Sequence, residues 1–134
     1  MSYLEEIKER GRSANPFFVL MGIDVVSFGQ GRCELAMEVR PEMMNGAGWM
    51  QGGLFTAICD EAMALALFTV LDASEGIATV SESTSFIQGV QKGEISATGR
   101  VVRKGRRIAF TEGEVIRKSN KALLSRTTAS FAIV

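Results

Sequence analysis

Asp60 and Glu61 sit near the middle of the apolar segment Leu54 to Leu71, and Gly52-Gly53 stands directly in front of it. Burying an ionised carboxylate without partners is costly, so an acid in such a segment marks a candidate base or nucleophile. The glycines suggest a second kind of chemistry. At a helix start the backbone N–H groups lack partners inside the helix and the macrodipole is positive, which suits a developing oxyanion. Glycine also lets a substrate carbonyl come close. Acyl transfer needs these parts together: donors for the oxyanion, and an acid that activates water or attacks the carbonyl. Gly52 and Asp60 are eight residues apart, which is about 12 Å of helix rise, so one chain cannot bring both to the same carbonyl. The chain contains no histidine. That excludes Ser-His-Asp and Cys-His catalysis, His-ligated zinc and imidazole acid–base chemistry.

The element that must position these groups is a long helix. Its apolar residues surround the axis instead of forming one stripe, so it is expected to be enclosed. On it Gly53, Ala57, Asp60 and Ala64 recur at three- and four-residue spacing, a face of small side chains that leaves room beside the acid. Upstream, Tyr3 to Arg10 reads as a short helix. Asn15-Pro16 reads as the end of an N-terminal flap, because the residue before proline is pushed out of helical geometry. Gly22 to Phe28 and Arg32 to Val39 are strand candidates joined by the turn residues Gly29-Gln30-Gly31. In the second, Cys33, Leu35, Met37 and Val39 alternate with Arg32, Glu34, Ala36 and Glu38, one buried face and one wet face. Beyond the polar stretch Asp72 to Gly76, which can end the helix, come Ile77 to Ile87, Glu94 to Arg103, Ile108 to Arg117 and Ala122 to Ile133 as further strands. Helix, two strands, buried helix and four strands, without βαβ alternation, point to an α+β fold whose antiparallel sheet wraps the helix.

The 134 residues suit a single domain, 1–134, and a 46% hydrophobic, 22% charged composition with two prolines is that of a globular chain. Fifteen basic and fifteen acidic residues balance, leaving no excess charge for binding nucleic acid through its phosphates. Cys33 and Cys59 lie in apolar surroundings without CxxC spacing, as buried free thiols of a reducing compartment would. The charged start, Met1 to Gly11, has no apolar core for a secretory signal, and Asp60 and Glu61 argue against a membrane span through Leu54 to Leu71. A cytoplasmic protein is the expectation.

Asn45, Gln51-Gly52-Gly53, Asp60-Glu61-Ala62 and the later run from Gly99 to Arg107 together resemble the hotdog-fold thioesterases of the phenylacetate-degradation (PaaI-like) type. The resemblance covers nearly the whole chain. The family pattern is an asparagine, a His-Gly-Gly triplet opening the central helix, and an aspartate eight residues beyond the first glycine; here the histidine position holds Gln51. The resemblance implies a hotdog fold, at least a homodimer with a tetramer expected, active sites at the subunit interface, and acyl-CoA hydrolysis to free acid and coenzyme A without metal or redox cofactor. It further implies that Asp60 of one subunit meets the helix start of the other, Gly52 and Gly53, as base or nucleophile. Asn45 would position the water or substrate carbonyl, Thr79 would help orient the water, and Gln51 would orient the site by hydrogen bonds it can donate and accept but without taking up a proton. In such relatives the region of Arg103, Lys104, Arg106 and Arg107 lies near the coenzyme A phosphates, anions that Arg forks suit.

Other readings stand beside these. Gly52-Gly53 fits an ordinary turn into a helix, Asp60 a buried acid satisfied by backbone or hydroxyl groups, and the basic turn a solvated hairpin tip. Glu61 reads as a partner for Arg or Lys at an interface. Met43, Met44, Met50, Met63, Phe55 and Phe68 read as mostly core, some of them available to an acyl pocket. Gln51 also leaves open a hotdog protein that binds acyl-CoA without hydrolysing it. A hydratase or dehydratase, which commonly pairs its acid with a histidine, fits the chain poorly.

Overall fold

Alternation builds the sheet. In β2 (Arg32–Val39) Cys33, Leu35, Met37 and Val39 are buried on one face, as a period of two requires, although Ala36 of the expected wet face is buried as well. The computed structural model describes residues 1–134 and sets five further strands beside it: β1 (Ile23–Gly29), β3 (Ile77–Phe86), β4 (Gly93–Lys104), β5 (Ile108–Arg117) and β6 (Leu123–Ile133). All pair antiparallel in the order β1-β2-β4-β5-β6-β3. β2 and β5 have the bounds expected from sequence; the others differ by one residue at one or both ends. A long helix, α3 (Gly52–Phe68), packs across one face, giving the expected hotdog arrangement of helix and antiparallel sheet.

Two cross-strand glycines set how closely helix and sheet approach. Gly99 of β4 pairs with Gly113 of β5. A Cβ at Gly99 would come within 2.5 Å of the Ala62 backbone, and one at Gly113 within 2.6 Å of Cys59 Sγ, so α3 lies where only glycine leaves room. The opposite face of the sheet is wet and charge-laced, with Arg100–Glu112, Lys118–Glu94 and Arg126–Glu114 ion pairs.

Three features differ from the sequence expectation. The helix ends at Phe68 rather than running through the apolar segment to Leu71. Thr69 ties that end down: its hydroxyl donates to the Ala66 carbonyl at 2.6 Å and accepts from the Gly31 N–H of the β1–β2 turn at 2.7 Å. Nor is α3 enclosed on all sides. Gly53 is exposed and Ala57, Asp60 and Ala64 are half-buried, because one sheet covers one side of a helix and the small-residue face is the side left over. Finally, Pro16 does not end a segment but begins one. It opens a short helix, α2 (Pro16–Met21), with Asn15 in extended geometry as its cap and Gly22 at φ 73° closing it. Proline lacks the N–H that a first helical residue would leave unpaired anyway, so the signal that ends one helix starts the next.

An N-terminal helix, α1 (Tyr3–Arg10), begins with a Ser2–Glu5 capping box and stacks Tyr3 edge-on against Phe68 of α3. The two outer strands are β1 and β3, and each carries a bulge: register shifts between Val25 and Ser27 in β1, and between Thr79 and Ser81 in β3. β3 and the residue after it leave Val80, Phe86 and Ile87 more than half exposed, at 60%, 60% and 53%. No helix is long and apolar enough to cross a membrane.

Candidate active site

The β3 bulge decides what surrounds Asp60. Strict alternation would put Thr79 and Glu82, three residues apart, on opposite faces of the strand. With Val80 inserted, Thr79 pairs with Phe131 and Glu82 with Ala129, two residues apart on β6 and so on one face, the face turned toward α3. The Thr79 hydroxyl donates to Asp60 Oδ1 at 3.5 Å, at the long limit of a hydrogen bond. Glu82 comes against the same carboxyl, with its Oε2 buried and without a hydrogen-bond donor. Sequence reasoning reached Asp60 and Thr79 but missed Glu82, because nothing in the residues of β3 announces the bulge that turns it inward.

The electrostatics follow from this closeness. Burial raises the Asp60 carboxyl above its usual range, opposed by hydrogen bonds from Glu82 and Thr79. Burial, then the charge of Asp60, pushes Glu82 up to about 7. Burial also raises Glu61, whose partner within the chain is the Asn15 amide at 3.3 Å; Asn15 donates to the Tyr3 hydroxyl as well, at 2.8 Å. The neighbouring Cys59 thiol is pushed up to about 12 by burial, which suits a packing residue and not a nucleophile.

The helix start is organised by Gln51. Its side-chain oxygen accepts the Gly53 N–H, its carbonyl accepts the Leu54 N–H at 3.0 Å, and its own N–H donates to Met43 at 2.9 Å. Gln51 thus occupies one of the two amides that the sequence reading assigned to an oxyanion, and Gly52 is left with the N–H that has no partner in the chain. The Phe86 ring lies over Gly52, where a Cβ would meet it at 3.3 Å. Asn45 turns its Oδ1 onto the Ala47 and Trp49 N–H groups, at 2.9 and 3.1 Å, fastening the loop before the helix and leaving its Nδ2 unpaired.

Asp60 and Thr79 meet; the other expected site residues do not join them within one chain. Gly52 and Asp60 stay two helical turns apart. Arg103, Lys104, Arg106 and Arg107 are exposed at the β4–β5 hairpin without ion-pair partners. That hairpin lies toward the far end of α3: Val101 bonds to Gly31, which bonds to Thr69, whereas Gly52 lies by Met50, which bonds to Val90 before β4.

Residues 47–123 match the family model described as the thioesterase superfamily, more than half of the chain. The chain belongs to that superfamily. Among thioesterase relatives, the human acyl-coenzyme A thioesterase 13 is 28% identical over 126 residues, covering 93% of this chain and 89% of the relative. The Escherichia coli acyl-coenzyme A thioesterase PaaI is 26% identical over 106 residues, 77% of this chain and 72% of that one. Among solved structures, a conserved protein of Pseudomonas aeruginosa superposes with a TM-score of 0.84 at 28% identity, covering 90% of this chain and 94% of its own.

Proposed function

We propose that this thioesterase-superfamily chain hydrolyses acyl-CoA: water and the thioester give a free acid and coenzyme A, the thiol carrying the second proton of the water. The observation that carries the reading is Asp60, half-buried at the margin of the small-residue face of α3, where β3 sets a hydroxyl donor beside it and small neighbours leave room around it. Asp60 acts in its ionised form, either taking a proton from water or attacking the carbonyl carbon. Gly52 supplies the backbone N–H for the oxyanion. Because the two are eight residues apart on one helix, about 12 Å, the site is shared between two copies, each giving its acid to the other's helix start. The exposed Val80, Phe86 and Ile87 on the β3 side suit that pairing as a homodimer, with a tetramer built from two such dimers beyond it. Asn45 Nδ2 orients water or carbonyl, Thr79 steadies Asp60, Gln51 positions the helix start, and Arg103, Lys104, Arg106 and Arg107 receive the coenzyme A phosphates. The chain works as one domain, and its free buried thiols suit the cytoplasm.

Turnover across an acyl-CoA panel tests this. Asp60→Asn is expected to lower kcat by about a hundredfold or more with KM nearly unchanged. Hydrolysis by the wild type that the substitution leaves intact sinks the assignment. The Gly53 amide already bonded to Gln51 favours a second reading, an acyl-CoA binder without turnover; tight binding in calorimetry with no product identifies it.

A further inference from the structure

We propose that Glu82 is a positioning residue for Asp60: as the neutral acid it donates its proton in a hydrogen bond to the Asp60 carboxylate, holding that carboxylate ionised and fixed in direction. The inference rests on the thioesterase reading for its catalytic meaning and, for the pair, on the register of β3 and the burial of the Glu82 carboxyl. The bulge at Val80 places Thr79 and Glu82 on the face of β3 that meets α3, so Asp60 has two candidate donors from one strand. Glu82 Oε2 is buried with no donor in reach. A carboxylate there would be an unsatisfied charge, whereas a carboxylic acid has one useful acceptor, Asp60.

The surroundings give neither carboxyl a counter-ion. From α3 the titratable neighbours are Cys59, Asp60 and Glu61; from β5 the nearest is Glu114, felt by Cys59; β6 presents the apolar Ala129 and Phe131 opposite Glu82 and Thr79. No Lys or Arg acts on either member. Two adjoining carboxyls without a cation do not both ionise cheaply, so the pair holds one proton. Burial and the charge of Asp60 raise Glu82 to about 7, while the hydrogen bond from Glu82 pulls Asp60 downward against its own burial. The proton therefore rests on Glu82, and Asp60 keeps the charge that either of its chemical roles requires.

The dependence of kcat on pH reads this directly. In the wild type kcat is expected to fall at low pH as Asp60 is protonated, and to fall again above about 7 as Glu82 ionises and repels its partner. Glu82→Gln keeps a donor but cannot titrate. It is expected to lower kcat at neutral pH by about 3- to 10-fold, as an amide N–H makes a longer, weaker hydrogen bond to a carboxylate than an acid O–H does, with KM within about twofold, and to abolish the alkaline fall while retaining the acid one. An alkaline fall that persists in Glu82→Gln overturns the proposal. Carboxyl carbon NMR titration of the protein without substrate tests the pair independently of turnover. The Glu82 midpoint should lie near 7 and drop by about one unit or more in Asp60→Asn; an unmoved midpoint overturns the pair. If no thioester is hydrolysed but the midpoint moves as expected, the proton-sharing pair stands and the thioesterase reading fails. Thermal melts of both variants guard against misfolding as the cause.

Discussion

Gln51 uses its side-chain oxygen to cap its own helix through Gly53. That contact gives the residue a structural consequence separable from chemistry. Gln51→Ala should cost about 1 kcal/mol, as loss of a helix cap does, and lower the melting temperature by about 3–5 °C for a chain of this size. Because the Gly52 amide and the Asp60 carboxyl are untouched, kcat should fall far less than in Asp60→Asn; calorimetry and steady-state kinetics on the two variants check both statements. Of the candidate site, Asp60, Gly52 and Asn45 stand out in the sequence because their residue types are out of place for their surroundings or fall at a recognisable spacing. Glu82 does not, since an acid in a strand rich in serine and threonine reads as a solvent-facing residue until the register is known. The engagement of the Gly53 amide was equally hidden, because it depends on one rotamer of Gln51 and not on any pattern.

At the scale of elements, the contact between α3 and the sheet rests on Gly99 and Gly113, side by side under the helix. Gly99→Val should destabilise the protein by about 3 kcal/mol, since the branched side chain must push the Ala62 backbone away in a packed interior; urea unfolding of the variant measures it, and a loss under about 1 kcal/mol would mean that α3 moves aside freely. Strands were the most legible elements, because alternation in β2 and the turn residues flanking β5 define both ends locally. α2 was not, because six residues are too few to show a helical period and its proline reads as a stop as readily as a start. The exposed side of α3 escaped a sequence reading for another reason. Composition says that a helix is apolar all round, but not how many partners it takes to cover it.

For the whole molecule, Asp60, Glu61 and Glu82 all have carboxyls raised by burial, and this sets how stability responds to pH. Between the ordinary carboxylate range and about 7, the folded chain holds protons that the unfolded chain has released. Folding is then favoured by acid, and stability declines as pH rises through that window, levelling off above it. The melting temperature is therefore expected to fall between about pH 5 and 7.5, and the fall should be shallower in Glu82→Gln; a melting temperature that rises across the window would contradict the raised values. The outer strands carry a further consequence. β1 and β3 are the two ends of the sheet, and each is interrupted by a bulge at an exposed valine, Val26 and Val80. A straight margin would accept chain after chain and grow into a fibre; a kinked one admits only a partner whose own kink matches it. The same extra residue that turns Glu82 inward thus also breaks the regular edge that an added strand would pair with.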